Sequence, residues 1–199
     1  MKRINTVKLL SNGATVYKNL LHNVVKNECF EICEVLINNG CDVNALDEHY
    51  RTPLLYTEHN PDETCRIQIE HDVPYDAVRV LLKHGADVNC RSPSGETPLH
   101  MSVQRWAKRH KKVLRLLLES GSDVNAACNK GMTPLHIAAG GKGLEDRVKL
   151  VKILLKYKAD VNKKNGVGET ALHLASRKGY HYVEKVLLSK GADINLLII

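Results

Sequence analysis

The sequence predicts an all-α repeat solenoid, in which similar helical units stack along one axis. Two observations lead to this prediction. Two short motifs recur along the 199 residues with a constant separation, and aromatic residues make up only 5% of the composition. With one Trp and one Phe in the chain, the core depends on Leu, Val, Ile and Ala, which suit closely packed helices.

The first motif closes each unit and the second motif opens the next one. The first reads GCDVN, GADVN, GSDVN, KADVN and GADIN, and its copies end at Asn44, Asn89, Asn125, Asn162 and Asn195. The second reads TPLL, TPLH, TPLH and TALH, and its copies begin at Thr52, Thr97, Thr133 and Thr170. Each of these Thr residues follows the preceding motif Asn by 8 positions. The shortest unit is about 33 residues, and the other three carry insertions of roughly 12, 3 and 4.

These motifs resemble those of the ankyrin-repeat family, and the resemblance covers nearly the whole chain. It implies two antiparallel helices per unit, followed by a β-hairpin-like finger. We therefore expect a single domain over residues 1–199. Its divisions are an N-terminal capping half-repeat at 1–16 and five repeats at 17–45, 46–90, 91–126, 127–163 and 164–199.

The residue types of the motifs suit these elements. The motif Thr stands where a helix needs an N-cap hydroxyl, and Pro follows at the first helical position in three units. The resemblance implies that His100, His136 and His173 bridge backbone groups of neighbouring repeats. The Gly that opens the first motif ends a helix in the left-handed conformation, so Lys158 at that position predicts the weakest cap.

The two ends depart from the pattern. The first unit has Asn19-Leu20-Leu21-His22 in place of TPLH, as expected for a terminal repeat. The chain closes on four apolar residues, 196–199. Three arrangements remain open for them: folding back on the last helix, continuing into another repeat, or contacting a second copy.

The resemblance implies that partners contact the finger tips and the exposed side of the first helices. These positions differ between units while the framework repeats, which is typical of a variable binding surface on a constant scaffold. The candidate binding residues are Glu48, His49, Arg51, Ser94, Glu96, Gln104, Arg105, Trp106, Lys130, Met132, Arg177 and Lys178.

Charge favours an acidic partner. The formal net charge is +7. Six cations lie between Arg105 and Arg115, whereas residues 46–75 carry seven acids against two bases. Opposite charges on neighbouring repeats indicate mutual pairing, an oriented docking surface, or only solvated helix ends. The alternative function is a basic nucleic-acid- or chromatin-associated factor that uses the Arg105–Arg115 cluster.

Other function classes find little support. No Ser/His/Asp or Cys/His arrangement can be assembled without the structural His residues, and no spacing matches a metal site. We therefore expect no enzyme activity, no cofactor and no metal. No apolar run reaches the ~20 residues that span a bilayer. Six cysteines without tight spacing predict a reducing compartment, cytoplasmic or nuclear.

The sequence therefore predicts a monomeric, non-catalytic module that binds a protein partner through a concave helix and finger surface. We see no second functional segment, which favours an inhibitor or decoy over an adaptor, with a scaffold role also open. The resemblance adds one modification, hydroxylation of the motif asparagines: Asn44, Asn89, Asn125, Asn162 and Asn195.

Overall fold

The computed structural model describes residues 19–26, 30–56, 73–104, 110–141 and 147–196. Within these ranges the chain forms ten α-helices and no β-strand. In chain order the helices are α1 Leu20–Lys26, α2 Phe30–Asn38, α3 Pro53–Tyr56, α4 Val73–Lys83, α5 Pro98–Gln104, α6 His110–Glu119, α7 Pro134–Gly140, α8 Arg147–Lys156, α9 Ala171–Arg177 and α10 His181–Ser189.

The helices are stacked as pairs. Within each unit the first helix packs against the second, as α7 does against α8 and α9 against α10. Between units, first helices contact first helices, including α5 with α7 and α7 with α9. Second helices likewise contact second helices, including α2 with α4 and α8 with α10. The all-α repeat solenoid is confirmed.

The core is built around one Leu from each second helix. Five residues at equivalent positions have no exposed surface: Leu36, Leu81, Leu117, Leu154 and Leu187. In the last four units another Leu follows directly, and its burial varies. Leu118 is buried, whereas Leu188 is 44% exposed. The first Leu of each pair therefore carries the core, and the second lies at its edge.

The first helices α5, α7 and α9 begin in a Thr–His arrangement, and in α5 and α7 the His also joins the next repeat. In α7 the Thr133 side chain accepts from the His136 N–H, and Thr133 N–H donates to His136 Nδ1 at 3.1 Å. The far ring nitrogen, Nε2, lies 3.1 Å from the Glu169 carbonyl of the next unit. His100 Nε2 makes the same contact with Met132 O at 3.0 Å. The predicted His bridges are confirmed for these two residues.

The degraded first unit keeps this bridge. His22 Nε2 lies 2.9 Å from the Arg51 carbonyl, the equivalent position of the next unit. Because a backbone N–H faces Nδ1 and a carbonyl faces Nε2, the neutral tautomer with its proton on Nε2 fits His100 and His136. Burial lowers the pKa of both rings, which keeps them neutral and their bridges intact.

The motif asparagines form a second set of links between repeats. Asn125 Nδ2 donates to Lys158 O at 3.2 Å, and Asn125 Oδ1 accepts from Asp160 N–H at 2.7 Å. Asn44, Asn89 and Asn162 bind the next unit in the same way. Each of these side chains thus satisfies one donor and one acceptor where the neighbouring second helix ends.

The second helices end in the left-handed conformation that the sequence predicts. Gly40, Gly85, Gly121 and Gly191 have φ between 85° and 90°. Lys158, at the same position, has φ 66°. A side chain in this region carries a steric cost that Gly does not have.

We expect Lys158→Gly to raise the free energy of unfolding by about 1 kcal/mol, because it removes that cost. The Asn125 link is retained, since it uses the Lys158 backbone carbonyl. Gly121→Lys is the matched reverse change: a Cβ there meets nothing within 4 Å, so only backbone strain acts. Urea unfolding of both variants checks this, and a destabilised Lys158→Gly would contradict it.

Several predictions fall outside the described residues. These are the capping half-repeat at 1–16 and most of the three insertions, which include 57–72, 105–109 and 142–146. Arg105 and Trp106 lie in the second of them. The apolar end is described only at Leu196. The repeat boundaries stay a prediction.

Candidate interaction site

Between one unit and the next, the chain forms a short hairpin-like turn, which we call a finger. Finger 1 is 47–51, finger 2 is 92–96, finger 3 is 128–132 and finger 4 is 165–169. In each, the first N–H donates to the fifth carbonyl and the fourth N–H donates back to the first carbonyl. Cys128 N to Met132 O is 3.0 Å, and Gly131 N to Cys128 O is 2.8 Å. The predicted β-hairpin-like fingers are confirmed.

Fingers 2, 3 and 4 are joined to one another. Asn129 N–H donates to Ser94 O at 3.0 Å, and Gly166 N–H donates to Lys130 O at 2.9 Å. The approach is so close that a Cβ at Gly95 or Gly131 would collide with the next finger. Both glycines have positive φ, 76° and 70°. Gly therefore serves both the turn and the stacking.

Finger 1 is held at its base by a buried carboxylate. The Asp47 side chain is 2% exposed and accepts from the N–H groups of His49 and Arg51, both at 2.8 Å. It also accepts from Tyr56 Oη and pairs with Arg51 Nη2 at 3.1 Å. The Arg51 guanidinium carbon lies 4.5 Å from the Tyr56 ring centroid. This network fixes the finger to α3.

The network also sets the proton affinity of its members. Burial raises the pKa of Asp47, but the bonds from Tyr56, Arg51 and His49 outweigh burial and bring it down to about 2. Burial and the bond to Asp47 raise the pKa of Tyr56 to about 12. Asp47 is therefore a carboxylate at neutral pH, and it balances the charge of Arg51.

Several predicted binding residues are exposed on the fingers and first helices. We call this set the finger face: Glu48, His49, Ser94, Gln104, Lys130, Arg177 and Lys178. The Glu48 side chain is 77% exposed. Met132 is half-buried. The ends of α5 and α9 contact the fingers, since Gln104 bonds to Glu96 and Arg177 pairs with Glu169. That these residues bind a partner stays a prediction.

Other predicted binding residues have partners within the chain. The Arg51 side chain is largely taken up by Asp47 and Tyr56. Glu96 accepts from Gln104 Nε2 at 2.5 Å and from Ser94 Oγ at 3.0 Å, and Arg177 pairs with Glu169. These bonds hold the side chains of the finger face in place. The polar groups of Arg51 and Glu96 are engaged within the chain and are therefore less available to a partner.

Two apolar side chains on the fingers are exposed, and sequence reasoning missed one of them, Tyr50. Tyr50 is 72% exposed and Val167 is 65% exposed. Tyr50 occupies the fourth finger position, where the other three fingers have Gly. Its φ is 56°, a region in which a bulky side chain is an outlier. The sequence could have pointed to this residue, because Tyr50 stands at a position where the other three fingers have Gly.

A separate surface lies along the second helices. Two residues before the core Leu, each of the last four units has an exposed cation. We call these four the basic row: Arg79, Arg115, Lys152 and Lys185. Only Arg115 belongs to the basic cluster that the sequence predicted. The row was visible in the sequence through the repeat register, in which these positions are equivalent.

The described residues show no sign of other chemistry. Among them no group of His, Cys, Asp and Glu is arranged to hold a metal ion. In the same part of the chain, each helix is too short or too polar to cross a bilayer. The buried rings of His100 and His136 are held by the Thr and carbonyl contacts described above, and the buried ring of His22 contacts the Arg51 carbonyl through Nε2.

Stacked helix pairs with a repeated internal framework and unlike exposed fingers define a helical repeat protein. Comparison with family models agrees: the model for ankyrin repeats (3 copies) matches residues 68–165 and 125–197, and the ankyrin repeat model matches 16–45. The chain belongs to the ankyrin-repeat family.

Three relatives illustrate the similarity. Ankyrin repeat protein OPG189 of variola virus is 30% identical over 118 residues, which is 47% of this chain and 21% of that protein. Putative ankyrin repeat protein FPV233 of fowlpox virus is 32% identical over 84 residues, 42% of this chain and 14% of that protein. The B-cell lymphoma 3 protein homolog of Mus musculus is 31% identical over 86 residues, which is 43% of this chain and 16% of that protein. The chain thus spans about a fifth of these relatives or less.

Proposed function

We propose that this chain is a non-catalytic module that binds a protein partner through its finger face and acts as an inhibitor, decoy or scaffold. Ankyrin repeats are in general protein–protein interaction modules, which supports binding to a protein partner. The observation that carries the proposal is the contrast between two sets of residues. The Thr–His and Asn links repeat from unit to unit, whereas the exposed finger residues do not.

The finger face is polar along its length. Finger 1 presents Glu48, whereas finger 3 and the end of α9 present Lys130, Arg177 and Lys178. A partner with an acidic region complements the second part, as the net charge of the chain favours. The opposite sign at finger 1 fixes the direction in which such a partner docks.

Affinity purification of the tagged chain from lysate, with and without nuclease, followed by mass spectrometry, tests the proposal. A protein that is retained after nuclease treatment, and lost with Lys130→Glu plus Lys178→Glu, supports it. Recovery that disappears with nuclease contradicts it.

The basic row supports a second candidate function, binding to nucleic acid. Four cations in register along neighbouring helices present positive charge in a line, which suits a phosphate backbone. This binding should weaken steeply with salt and be unchanged by substitutions at the finger tips. Fluorescence anisotropy with a labelled duplex across a salt series measures it. Binding that is unchanged by Arg115→Glu plus Lys152→Glu would exclude the basic row as the nucleic-acid-binding site.

Location, assembly and modification are also proposals. The described cysteines Cys33, Cys41, Cys90 and Cys128 are free thiols, which supports a reducing compartment, cytoplasmic or nuclear. We expect a monomer, to be measured by sedimentation equilibrium.

We expect the motif asparagines to accept hydroxylation when the chain is produced together with an asparagine hydroxylase. Asn44 and Asn89 are exposed at the ends of their units, although their amides hold the next repeat. Intact-mass analysis should show the gain of one oxygen atom. An unchanged mass in the presence of active hydroxylase would remove this expectation.

A further inference from the structure

Finger 1 lacks the hydrogen bond that joins the other fingers. In fingers 3 and 4 the second residue donates its N–H to the third carbonyl of the preceding finger, as Asn129 does to Ser94 and Gly166 does to Lys130. In finger 2 the second residue is Pro93, which has no N–H. The carbonyl of His49 therefore receives no such bond from finger 2.

The fourth position of finger 1 differs as well. Fingers 2 and 3 need Gly95 and Gly131 because the next finger leaves no room for a Cβ. Tyr50 has a Cβ and still adopts the left-handed φ of 56°. Tyr50 and Pro93, which differ from the equivalent residues of the other fingers, thus fall on the same junction, and this junction lacks the backbone hydrogen bond that joins fingers 2, 3 and 4.

This arrangement leaves an exposed tip on a fixed base. Asp47, Arg51 and Tyr56 hold the base, while Tyr50 and the Glu48 side chain are 72% and 77% exposed. Leu46, directly before the finger, is 47% exposed. The Glu48 carboxylate lies 3.6 Å from His49 Nε2. A carboxylate and an aromatic ring that are exposed two residues apart on one tip each attract a cation, and exposed apolar surface favours an aliphatic or aromatic neighbour.

From these observations we infer that the tip of finger 1 determines partner specificity and binds a protein segment in which Arg or Lys lies next to an apolar residue. The cation pairs with Glu48 and lies over the Tyr50 ring, and the apolar residue covers Leu46. The inference rests on the proposed function, because it names the partner chemistry at one end of the same face.

The test uses the full chain and random peptides displayed on phage as the probe. We expect the selected peptides to carry Arg or Lys beside an apolar residue. Tyr50→Gly should weaken their binding by about tenfold or more, as for a hot-spot side chain. Glu48→Lys should act in the same direction, whereas Tyr50→Phe should retain binding because the ring remains.

Stability separates loss of binding from loss of fold. Gly suits a φ of 56°, so Tyr50→Gly should have a melting temperature equal to or above that of the parent chain. Tyr182→Gly is the matched control: it removes a similarly exposed Tyr side chain, 77% exposed, from the second helix α10 and should leave peptide binding unchanged. A variant that binds less while melting no earlier supports the inference.

Three outcomes would overturn it: selected peptides without basic residues, no selected peptides, or binding that is unchanged by Tyr50→Gly. The failure is distinguishable from that of the proposed function. A protein recovered from lysate could still bind the Tyr50→Gly variant but not the Lys130→Glu plus Lys178→Glu variant. That result would support the proposed function and exclude finger 1 as the determinant of specificity.

Discussion

Leu117→Ala is expected to lower the free energy of unfolding by about 2–5 kcal/mol. The Leu117 side chain has no exposed surface and lies in the core together with Val113, Leu81 and Val78. Its removal leaves a cavity between second helices that stack on each other, and neighbouring repeats depend on that contact. Chemical unfolding followed by circular dichroism measures the loss.

Leu188→Ala is the matched control for this prediction. It makes the same chemical change on a second helix, but Leu188 is 44% exposed. We expect it to cost under about 1 kcal/mol, since little apolar surface is removed from the core. If both variants lost equal stability, the register that places the first Leu of each unit in the core would be wrong.

Asp47→Ala is expected to destabilise the chain by about 3 kcal/mol, as for removal of one partner of a buried ion pair. The change leaves the Tyr56 hydroxyl and the N–H groups of His49 and Arg51 without their acceptor. It also leaves Arg51 without its counter-charge. Urea unfolding at neutral pH measures this loss.

The same carboxylate predicts an acid dependence. The pKa of Asp47 falls from its usual value of 3.8 to about 2 on folding. The unfolded chain therefore takes up this proton at a higher pH than the folded chain does. The associated stability, about 2 kcal/mol, is present above the unfolded pKa and lost as the pH falls from about 4 towards 2.

Asp47→Asn isolates that contribution from those of other carboxylates. We expect the variant to be less stable than the parent at neutral pH and close to it at pH about 2, where Asp47 itself is half protonated or more. Two stability profiles that remain parallel between these values would contradict the role given to Asp47.

The repeated framework could be predicted because its causes are local and periodic. The left-handed cap at Gly121 and its strained counterpart at Lys158 follow from residue type at one motif position. The His136 bridge was implied by the family resemblance. The Asn125 link was not predicted as a contact, since it depends on where the next second helix ends, which one unit alone does not show.

The finger face was harder to predict because exposure depends on neighbours. Arg51 has the appearance of a finger-tip cation in the sequence, yet Asp47 and Tyr56 bind it within the same repeat. Tyr50 was overlooked because its role becomes apparent only by comparison with the Gly residues of the other fingers and with Pro93, which faces finger 1 from finger 2. The framework could be predicted from the residue type at single motif positions. The exposure of finger residues depends on pairs of positions that are apart in the sequence.

Two charge reversals of equal size test directly whether the fingers bind the partner. Lys130→Glu plus Lys178→Glu alters the finger face, and Arg115→Glu plus Lys152→Glu alters the basic row. Binding of the protein recovered from lysate would be measured for both by calorimetry at a fixed salt concentration. We expect the finger-face variant to lose binding and the basic-row variant to keep it. The opposite result would contradict the claim that the fingers hold the partner.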